Sequence, residues 1–128
     1  MTRSDITILV VEDDREVREI ALAVLEGTGY RVLEAASGDD AHRLLLTHPD
    51  LDVDVLFTDL MMPGRLDGIE LADAAAVLRP GLQVLFTSGF TGLLHDQRDI
   101  ELHGPVLRKP YRPADLRRAI ERLVAEVS

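Results

Sequence analysis

Five short apolar runs alternate along this chain with segments whose apolar residues recur at helical spacing. The runs are rich in Val, Ile, Leu and Phe without clean alternation, as in strands that are covered on both faces. Strands that alternate with helices predict an α/β fold, in which a parallel sheet has helices on both faces. Right-handed crossovers leave few topologies, and we expect the doubly wound, five-stranded order 2-1-3-4-5. The candidate strands are Ile6–Val11, Arg31–Ala35, Val53–Thr58, Gln83–Thr87 and Pro105–Arg108.

The first two helical segments lie between the first three candidate strands. Gly27 and Gly29 are expected to end the first helix, because glycine favours the C-terminal cap. Ser37 can accept a backbone hydrogen bond at the start of the second helix. The side chains expected to face the core are Val17, Ile20, Ala21, Val24 and Leu25 in the first helix, and Ala41, Leu44 and Leu45 in the second.

The later helical segments also carry signals at their ends. Asp67 and Glu70 have the spacing of a capping box at the start of the third helix, which Pro80-Gly81 is expected to end. Pro113 suits the first turn of the last helix. Between these helices, Gly89–Gly104 mixes apolar and charged residues, so any helix there is expected to be short or irregular. The stripe predicted for the last helix is Leu116, Ile120, Leu123, Val124 and Val127.

Size and composition narrow the class of protein. The 128 residues fit one domain, and we expect neither a linker nor a second domain. The absence of cysteine excludes disulfides and thiolate metal sites, which fits a cytoplasmic protein. The N-terminal apolar stretch, of only about six residues, is too short for a signal peptide or a membrane span. No membrane association is therefore expected.

The net charge of −9 argues against nucleic acid as a partner, because phosphate binding needs a basic face. An acidic excess that only keeps the protein soluble explains the overall balance by itself. The positions of the acids along the chain are therefore more informative about function than their number.

Reactive side chains follow four of the candidate strands. Glu12 and Asp13 come after the first strand, Asp59 after the third, Thr87 at the end of the fourth and Lys109 after the fifth. In a doubly wound sheet, ligands bind beyond the carboxyl ends of the strands, at the switch point between the first and third. We therefore expect these side chains to converge at that edge.

The acids predict a magnesium site. A carboxylate such as Asp59 is costly to bury in the middle of a sheet unless it is paired. Repulsion between neighbouring Asp13 and Asp59 would leave a site for a cation. Mg²⁺ prefers oxygen ligands, and the carbonyl of Met61 is placed to supply another. In the alternative interpretation, Asp13 only caps the first helix, and Glu16 completes a capping box.

The histidines do not suggest a metal site. They lie at no chelating interval, so zinc is not indicated. Surface positions are expected for His42, His48, His95 and His103.

Phosphoryl transfer is the chemistry that suits this set of side chains. It needs positioning and charge neutralisation more than covalent help from other side chains, and a carboxylate such as Asp59 can form an acyl phosphate. Lys109 either makes a structural salt bridge to Asp59 or contacts the phosphoryl group, and one ammonium can do both in turn. Thr87 either reflects strand propensity alone or donates its hydroxyl to a phosphoryl oxygen.

Five motifs stand in order along the chain: Glu12-Asp13 after ILVV, FTDLMMPG around Asp59, Asp67-Gly68, FTSG around Thr87 and RKPY around Lys109. Together they resemble the receiver domains of two-component response regulators, over essentially the whole chain. The resemblance implies a flavodoxin-like sheet of the order expected above. The segments LFTSGF and LRKPY are most similar to receivers associated with hybrid histidine kinases.

The resemblance implies roles for the acids. Asp59 would take a phosphoryl group from the phosphohistidine of a histidine kinase or a histidine phosphotransfer protein. Asp13, Asp59 and the Met61 carbonyl would hold Mg²⁺, with Glu12 assisting through a water molecule.

The resemblance also implies that Thr87 and Lys109 bind the phosphoryl group and that the Lys109-Pro110 peptide bond is cis. Two features depart from the family pattern. Val106 stands where the family often has an aromatic residue that turns inward on activation, and Gly64-Arg65-Leu66 makes the loop after the acceptor one residue longer than the commonest form. Coupling through an aromatic flip is therefore not implied for this chain.

The expected function is that of a single receiver domain, residues 1–128, without an output domain. It would signal through a conformational change to an effector protein and would promote only its own phosphorylation and dephosphorylation. One alternative is a phosphorylation-independent interaction module with the same fold. Another is a phosphatase-like hydrolase, which would need a second acid two residues after the nucleophile, where Met61 stands.

Overall fold

The computed structural model describes residues 3–62, 64–89 and 102–126, which contain one five-stranded parallel sheet. The strands are β1 (Thr7–Val11), β2 (Arg31–Ala35), β3 (Val55–Asp59), β4 (Gln83–Ser88) and β5 (Val106–Arg108). The helices are α1 (Arg15–Gly27), α2 (Gly38–Thr47), α3 (Gly68–Leu78) and α4 (Pro113–Val124), and a 3₁₀ turn covers Arg3–Asp5. Within these ranges, none of the helices combines the length and the apolar character that crossing a bilayer requires.

The strands lie in the order β2-β1-β3-β4-β5, which confirms the predicted doubly wound topology. All neighbouring strands are parallel, and β1 pairs with both β2 and β3. The register places Asp59 of β3 opposite Thr87 of β4, and Thr87 opposite Leu107 of β5. The switch point therefore lies between β1 and β3, where ligands of such sheets bind.

Both faces of the sheet are covered, which is why β1 and β3 are buried along their whole length. One core lies between the sheet and α2 and α3, and the other between the sheet and α1 and α4. Complete burial of a large apolar side chain contributes about 2 kcal/mol of stability. Buried core residues include Leu9, Leu56, Leu71 and Phe86 on the first side, and Ile8, Phe57, Leu25, Leu116 and Ile120 on the second.

The caps explain where the helices begin. Ser37 Oγ accepts from the Asp40 amide at 3.1 Å, and Asp67 and Glu70 form both hydrogen bonds of a capping box, as predicted. The alternative interpretation of Asp13 as the cap of α1 is wrong, because Asp14 and not Asp13 accepts from the amides of Glu16 and Val17. Asp13 is therefore available for another role.

The helix ends and stripes agree with the predictions in most places. α1 ends at Gly27, and Pro113 is the first residue of α4. The prediction that Ile20 faces the core is wrong. The helix α1 packs through Ala21 and Leu25, and Ile20 is 57% exposed. Val127 and residues 90–101 of the polar segment lie outside the described residues.

Candidate functional site

Four strands bring the predicted side chains to one edge of the sheet. Glu12 follows β1, Asp59 is the last residue of β3, Thr87 lies opposite Asp59 on β4, and Lys109 follows β5. β3 is one residue longer at this end than predicted, so Asp59 is held by the strand ladder rather than by a loop. The Leu60 amide donates to the Thr87 carbonyl at 2.9 Å and continues that ladder.

The acids form a compact cluster. One carboxylate oxygen each from Glu12, Asp13 and Asp59 lie within 4.8 Å of one another, as the neighbouring acids predicted. Glu12 and Asp59 are only 4% and 7% exposed, whereas Asp13 is an exposed residue. No hydrogen-bond donor among the described residues reaches the Asp13 carboxylate. Three oxygens this close, one of them unpartnered, match the ligand preference of a small hard cation.

Lys109 is the only lysine of the sequence, and it lies between the two buried acids. Its Nζ donates to Asp59 Oδ2 and to Glu12 Oε2, both at 2.8 Å. The predicted bridge to Asp59 is confirmed, whereas the bond to Glu12 was missed. The sequence does contain a signal for a partner of Glu12, because a carboxylate directly after a buried strand needs one.

The pKa values reflect this crowding. Burial raises the pKa of Glu12 above its ordinary value; the hydrogen bond from Lys109 opposes that rise and the charge of Asp59 reinforces it. Burial alone would lower the pKa of Lys109, but its hydrogen bonds to Asp59 and Glu12 outweigh burial and raise it. The ammonium of Lys109 pairs with two acids of a cluster of three, so the ionised cluster has an excess of negative charge that favours a cation.

Thr87 carries a buried hydroxyl without a partner. The residue is 2% exposed, and its Oγ1 is the one buried side-chain oxygen or nitrogen of the described residues that lacks a hydrogen bond. An unpaired buried hydroxyl normally costs stability. Strand propensity alone would be met equally well by valine, so the hydroxyl indicates an additional role.

Replacing this hydroxyl with a methyl group should therefore not destabilise the protein. We expect Thr87→Val to leave the free energy of unfolding unchanged or to raise it by about 1 kcal/mol, measured by urea denaturation in EDTA. Thr58→Val is the matched control, because the buried Thr58 hydroxyl donates to the Asp59 carbonyl at 3.0 Å. The free energy of unfolding of the control should fall by about 1 kcal/mol. A comparable loss in Thr87→Val would mean that its hydroxyl is already bonded.

The segment after Asp59 packs closely against the acceptor. The Met61 amide lies 3.4 Å from Asp59 Oδ1, and the Gly68 amide donates to the Leu60 carbonyl at 2.9 Å. A Cβ atom on Gly68 would collide with the Asp59 carbonyl oxygen, which explains why glycine begins α3. The role of the Met61 carbonyl as a metal ligand stays a prediction.

An apolar groove of about 420 Å³ opens beside Lys109. The exposed Ile20 of α1 forms part of one wall, and the Tyr111 ring, which packs edge-on against Phe57 at 6.0 Å, forms part of the other. The Lys109-Pro110 peptide bond is cis, as the resemblance implied. The groove is lined by Val17, Ile20, Lys109, Pro110 and Tyr111.

The acidic cluster should be visible in the titration of Tyr111. Burial, reinforced by the charge of Glu12, raises the pKa of Tyr111 to about 12. We expect the Tyr30→Phe variant, in which Tyr111 is the only phenol, to ionise near that pH when followed by ultraviolet absorbance. The folded state keeps this proton above pH 10 while the unfolded state loses it, so the group lowers stability as the pH rises through that range. Ionisation at the ordinary value of 10.0 would contradict the burial of this ring beside the acids.

The histidines form no metal site within the described residues, where the acidic cluster is the one group of potential ligands. His48 is exposed as predicted, and His95 lies outside the described residues. His42 and His103 are half-buried rather than fully exposed, and the His103 side chain, 24% exposed, reaches Asp73 Oδ1 at 2.7 Å. Its ring packs edge-on against Phe86, the neighbour of Val106 across the β4–β5 ladder. Phe86 therefore has an aromatic neighbour in His103, which precedes β5, whereas Val106 of β5 supplies no ring.

Comparison with known proteins gives concordant matches. The sequence profile of the response regulator receiver domain matches residues 8–121. The chain is 36% identical over 118 residues to the response regulator receiver protein CpdR of Brucella abortus, which covers 91% of this chain and 95% of that protein. It is 34% identical over 84 residues to the sensor kinase CckA of the same organism, which covers 66% of this chain but 9% of the kinase. The crystal structure of a response regulator receiver domain protein from Clostridium thermocellum, 27% identical, aligns with a TM-score of 0.82 over 94% of each chain.

Proposed function

The chain belongs to the response regulator receiver domain family, and on that basis we propose that Asp59 accepts a phosphoryl group in two-component signalling. The observation that carries this proposal is the surroundings of Asp59. This buried carboxylate is bonded to the only lysine, has an oxygen within 4.8 Å of oxygens of two other acids, and lies opposite Thr87, whose hydroxyl has no partner among the described residues. Each of these groups suits one part of a phosphoryl-transfer site.

The oxygen-rich cluster fits Mg²⁺ as the cofactor. Asp13 and Asp59 would be direct ligands, the Met61 carbonyl a third, and Glu12 a ligand through water. The exposed Asp13 carboxylate supports this assignment, because it is close to Asp59 and, within the described part of the chain, has no other bond. When bound, the cation neutralises charge on the acids and on the phosphoryl oxygens.

Asp59, Lys109 and Thr87 would then have separate roles in the phosphoryl transfer. An oxygen of Asp59 attacks phosphorus, the bond from phosphorus to the donor histidine nitrogen breaks, and that nitrogen keeps the electron pair. The Lys109 ammonium, which now bonds to Asp59 Oδ2, would shift to a phosphoryl oxygen as a point charge. The Thr87 hydroxyl would gain its missing partner by donating to another phosphoryl oxygen.

The apolar groove supports a protein as the phosphodonor. The donor is a histidine kinase or a histidine phosphotransfer protein, and its histidine must approach Asp59 closely. Ile20 is 57% exposed beside this approach and offers an apolar contact. An Ile20→Asp variant should accept phosphate slowly from such a protein but normally from a small phosphodonor, and equal slowing with both donors would contradict docking at the groove.

Downstream, the phosphorylated domain would signal to an effector protein in the cytoplasm through a conformational change. The chain would promote only its own phosphorylation and dephosphorylation, with no separate enzymatic activity. The alternative of a phosphorylation-independent module is disfavoured by the Thr87 hydroxyl, since such a module has no use for an unpaired buried donor.

Labelling with and without metal tests the proposal. The protein is incubated with a small phosphodonor in Mg²⁺ or in EDTA, and the covalent product is followed by intact-mass spectrometry. We expect one added phosphoryl group in Mg²⁺, removed by hydroxylamine as an acyl phosphate is, and almost none in EDTA. Equal labelling in both solutions, or none in either, would contradict the proposed function.

A further inference from the structure

Arg18 of α1 bonds to the turn between β1 and α1, which contains Glu12 and Asp13. Its Nη1 donates to the Glu12 carbonyl at 2.8 Å and its Nε to Glu34 Oε1 at 3.2 Å. The side chain is 14% exposed, so the guanidinium is fixed between β2 and the start of the turn after β1. Arginine presents its donors in a rigid fork, which can hold two acceptors at a set angle.

The bonded carbonyl belongs to the peptide unit that joins Glu12 to Asp13. On the other side of Glu12, the backbone amide donates to the Ala35 carbonyl at 3.2 Å. Both peptide units that flank Glu12 are therefore held, one by β2 and the other by Arg18. The described residues give the Asp13 carboxylate no bond of its own, so its direction depends on this backbone.

We propose that Arg18 is a positioning residue of the cation site: it fixes the Glu12–Asp13 peptide so that Asp13 faces Asp59. The inference rests on the proposed function, because it concerns the affinity of that site for Mg²⁺. Without the guanidinium, repulsion from the buried acids would turn the exposed Asp13 carboxylate towards solvent. Groups that orient metal ligands without touching the metal typically change affinity by about tenfold or more.

A purely electrostatic role of Arg18 predicts the opposite change in Mg²⁺ affinity. A guanidinium near the acids repels a cation, so its removal would strengthen Mg²⁺ binding if charge were its only contribution. A purely structural salt bridge to Glu34 predicts a loss of stability and no change in affinity, because Glu34 does not belong to the acidic cluster. The sign of the change therefore separates the three roles.

The chain offers a matched control on the same helix. Arg15 also bonds to a carboxylate, Glu19 Oε1 at 3.1 Å, but its side chain is 82% exposed and, among the described residues, makes no hydrogen bond to the turn. Arg18→Ala and Arg15→Ala remove the same charge from α1. Only Arg18→Ala removes the support of the Glu12 carbonyl.

The experiment is calorimetric titration of Mg²⁺ into the full chain, for wild type and both variants. We expect Arg18→Ala to weaken binding by about tenfold and Arg15→Ala to stay within about twofold of wild type. Arg18→Lys, which keeps the charge without the fork, should fall between wild type and Arg18→Ala, and it replaces that variant if alanine prevents folding. Unchanged or tighter binding in folded Arg18→Ala, or in Arg18→Lys where it serves as the replacement, would overturn the proposal.

A metal-free measurement separates this inference from the proposed function. The Asp14 amide donates to Glu12 Oε1 at 3.1 Å, so its hydrogen exchange reports on the turn. In EDTA, Arg18→Ala should speed exchange at this amide while amides in β4 exchange at the wild-type rate. Unchanged exchange at Asp14 would overturn the positioning role even if the wild type binds Mg²⁺. A wild type that binds no Mg²⁺ would instead overturn the proposed function.

Discussion

Asp59→Asn is expected to abolish phosphoryl labelling, with the rate falling by at least about a thousandfold. Asparagine has nearly the same shape as aspartate, and its side-chain oxygen can still accept from Lys109, so the variant should remain folded. The amide is not a nucleophile for phosphorus, however, and it lacks the charge that helps to hold a cation. Loss of labelling would therefore report on chemistry rather than on the fold.

The measurement is the intact mass of the variant after incubation with a small phosphodonor and Mg²⁺. Asp52→Asn is the control, because Asp52 is exposed and lies before β3, at the opposite end from Asp59. The control should be labelled at the wild-type rate. Labelling of Asp59→Asn at that rate would place the acceptor elsewhere in the chain.

Lys109→Met is expected to lower the free energy of unfolding by about 3 kcal/mol at neutral pH in EDTA. Methionine keeps much of the length of the side chain but removes the ammonium from Glu12 and Asp59. Two buried carboxylates would then face each other without a counter-charge. Arg108→Met is the control, because the neighbouring Arg108 is exposed, and it should change stability by less than about 0.5 kcal/mol.

The pH dependence of Lys109→Met gives a second readout by the same urea denaturation. Burial already raises the pKa of Glu12 in the folded state, and loss of Lys109 should raise it further. A raised carboxyl pKa makes folding more favourable at low pH, and this contribution disappears as the pH rises through the folded-state pKa. The loss of stability should therefore shrink below neutral pH. Wild-type stability of Lys109→Met at neutral pH would contradict the paired, buried acids.

The sheet could be predicted from the sequence because its strands are apolar on both faces and end on distinctive side chains. The run before Asp59 needs cover on both sides, and the alternation with helices then fixes the parallel order. The convergence of Asp13, Asp59, Thr87 and Lys109 followed from the rule that ligands bind at the carboxyl edge. These predictions needed only local pattern and topology.

What the sequence did not predict depends on contacts between distant residues. Either Asp13 or Asp14 can cap α1 by local chemistry, and the structure uses Asp14. The position of Glu12 after a buried strand indicates that it needs a partner, but no spacing rule identifies that partner as Lys109. Ile20 fits the apolar stripe of α1, but the rotation of the helix on the sheet leaves it exposed.

The most direct test of the central claim is a crystal structure grown with Mg²⁺ and beryllofluoride, which imitates a phosphoryl group on a carboxylate. The account predicts beryllium bonded to an Asp59 oxygen, a cation contacted by Asp13 and Asp59, and fluorine atoms within hydrogen-bond distance of Lys109 Nζ and Thr87 Oγ1. An Asp59 that stays unmodified and bonded to Lys109, with no cation between the acids, would contradict the account.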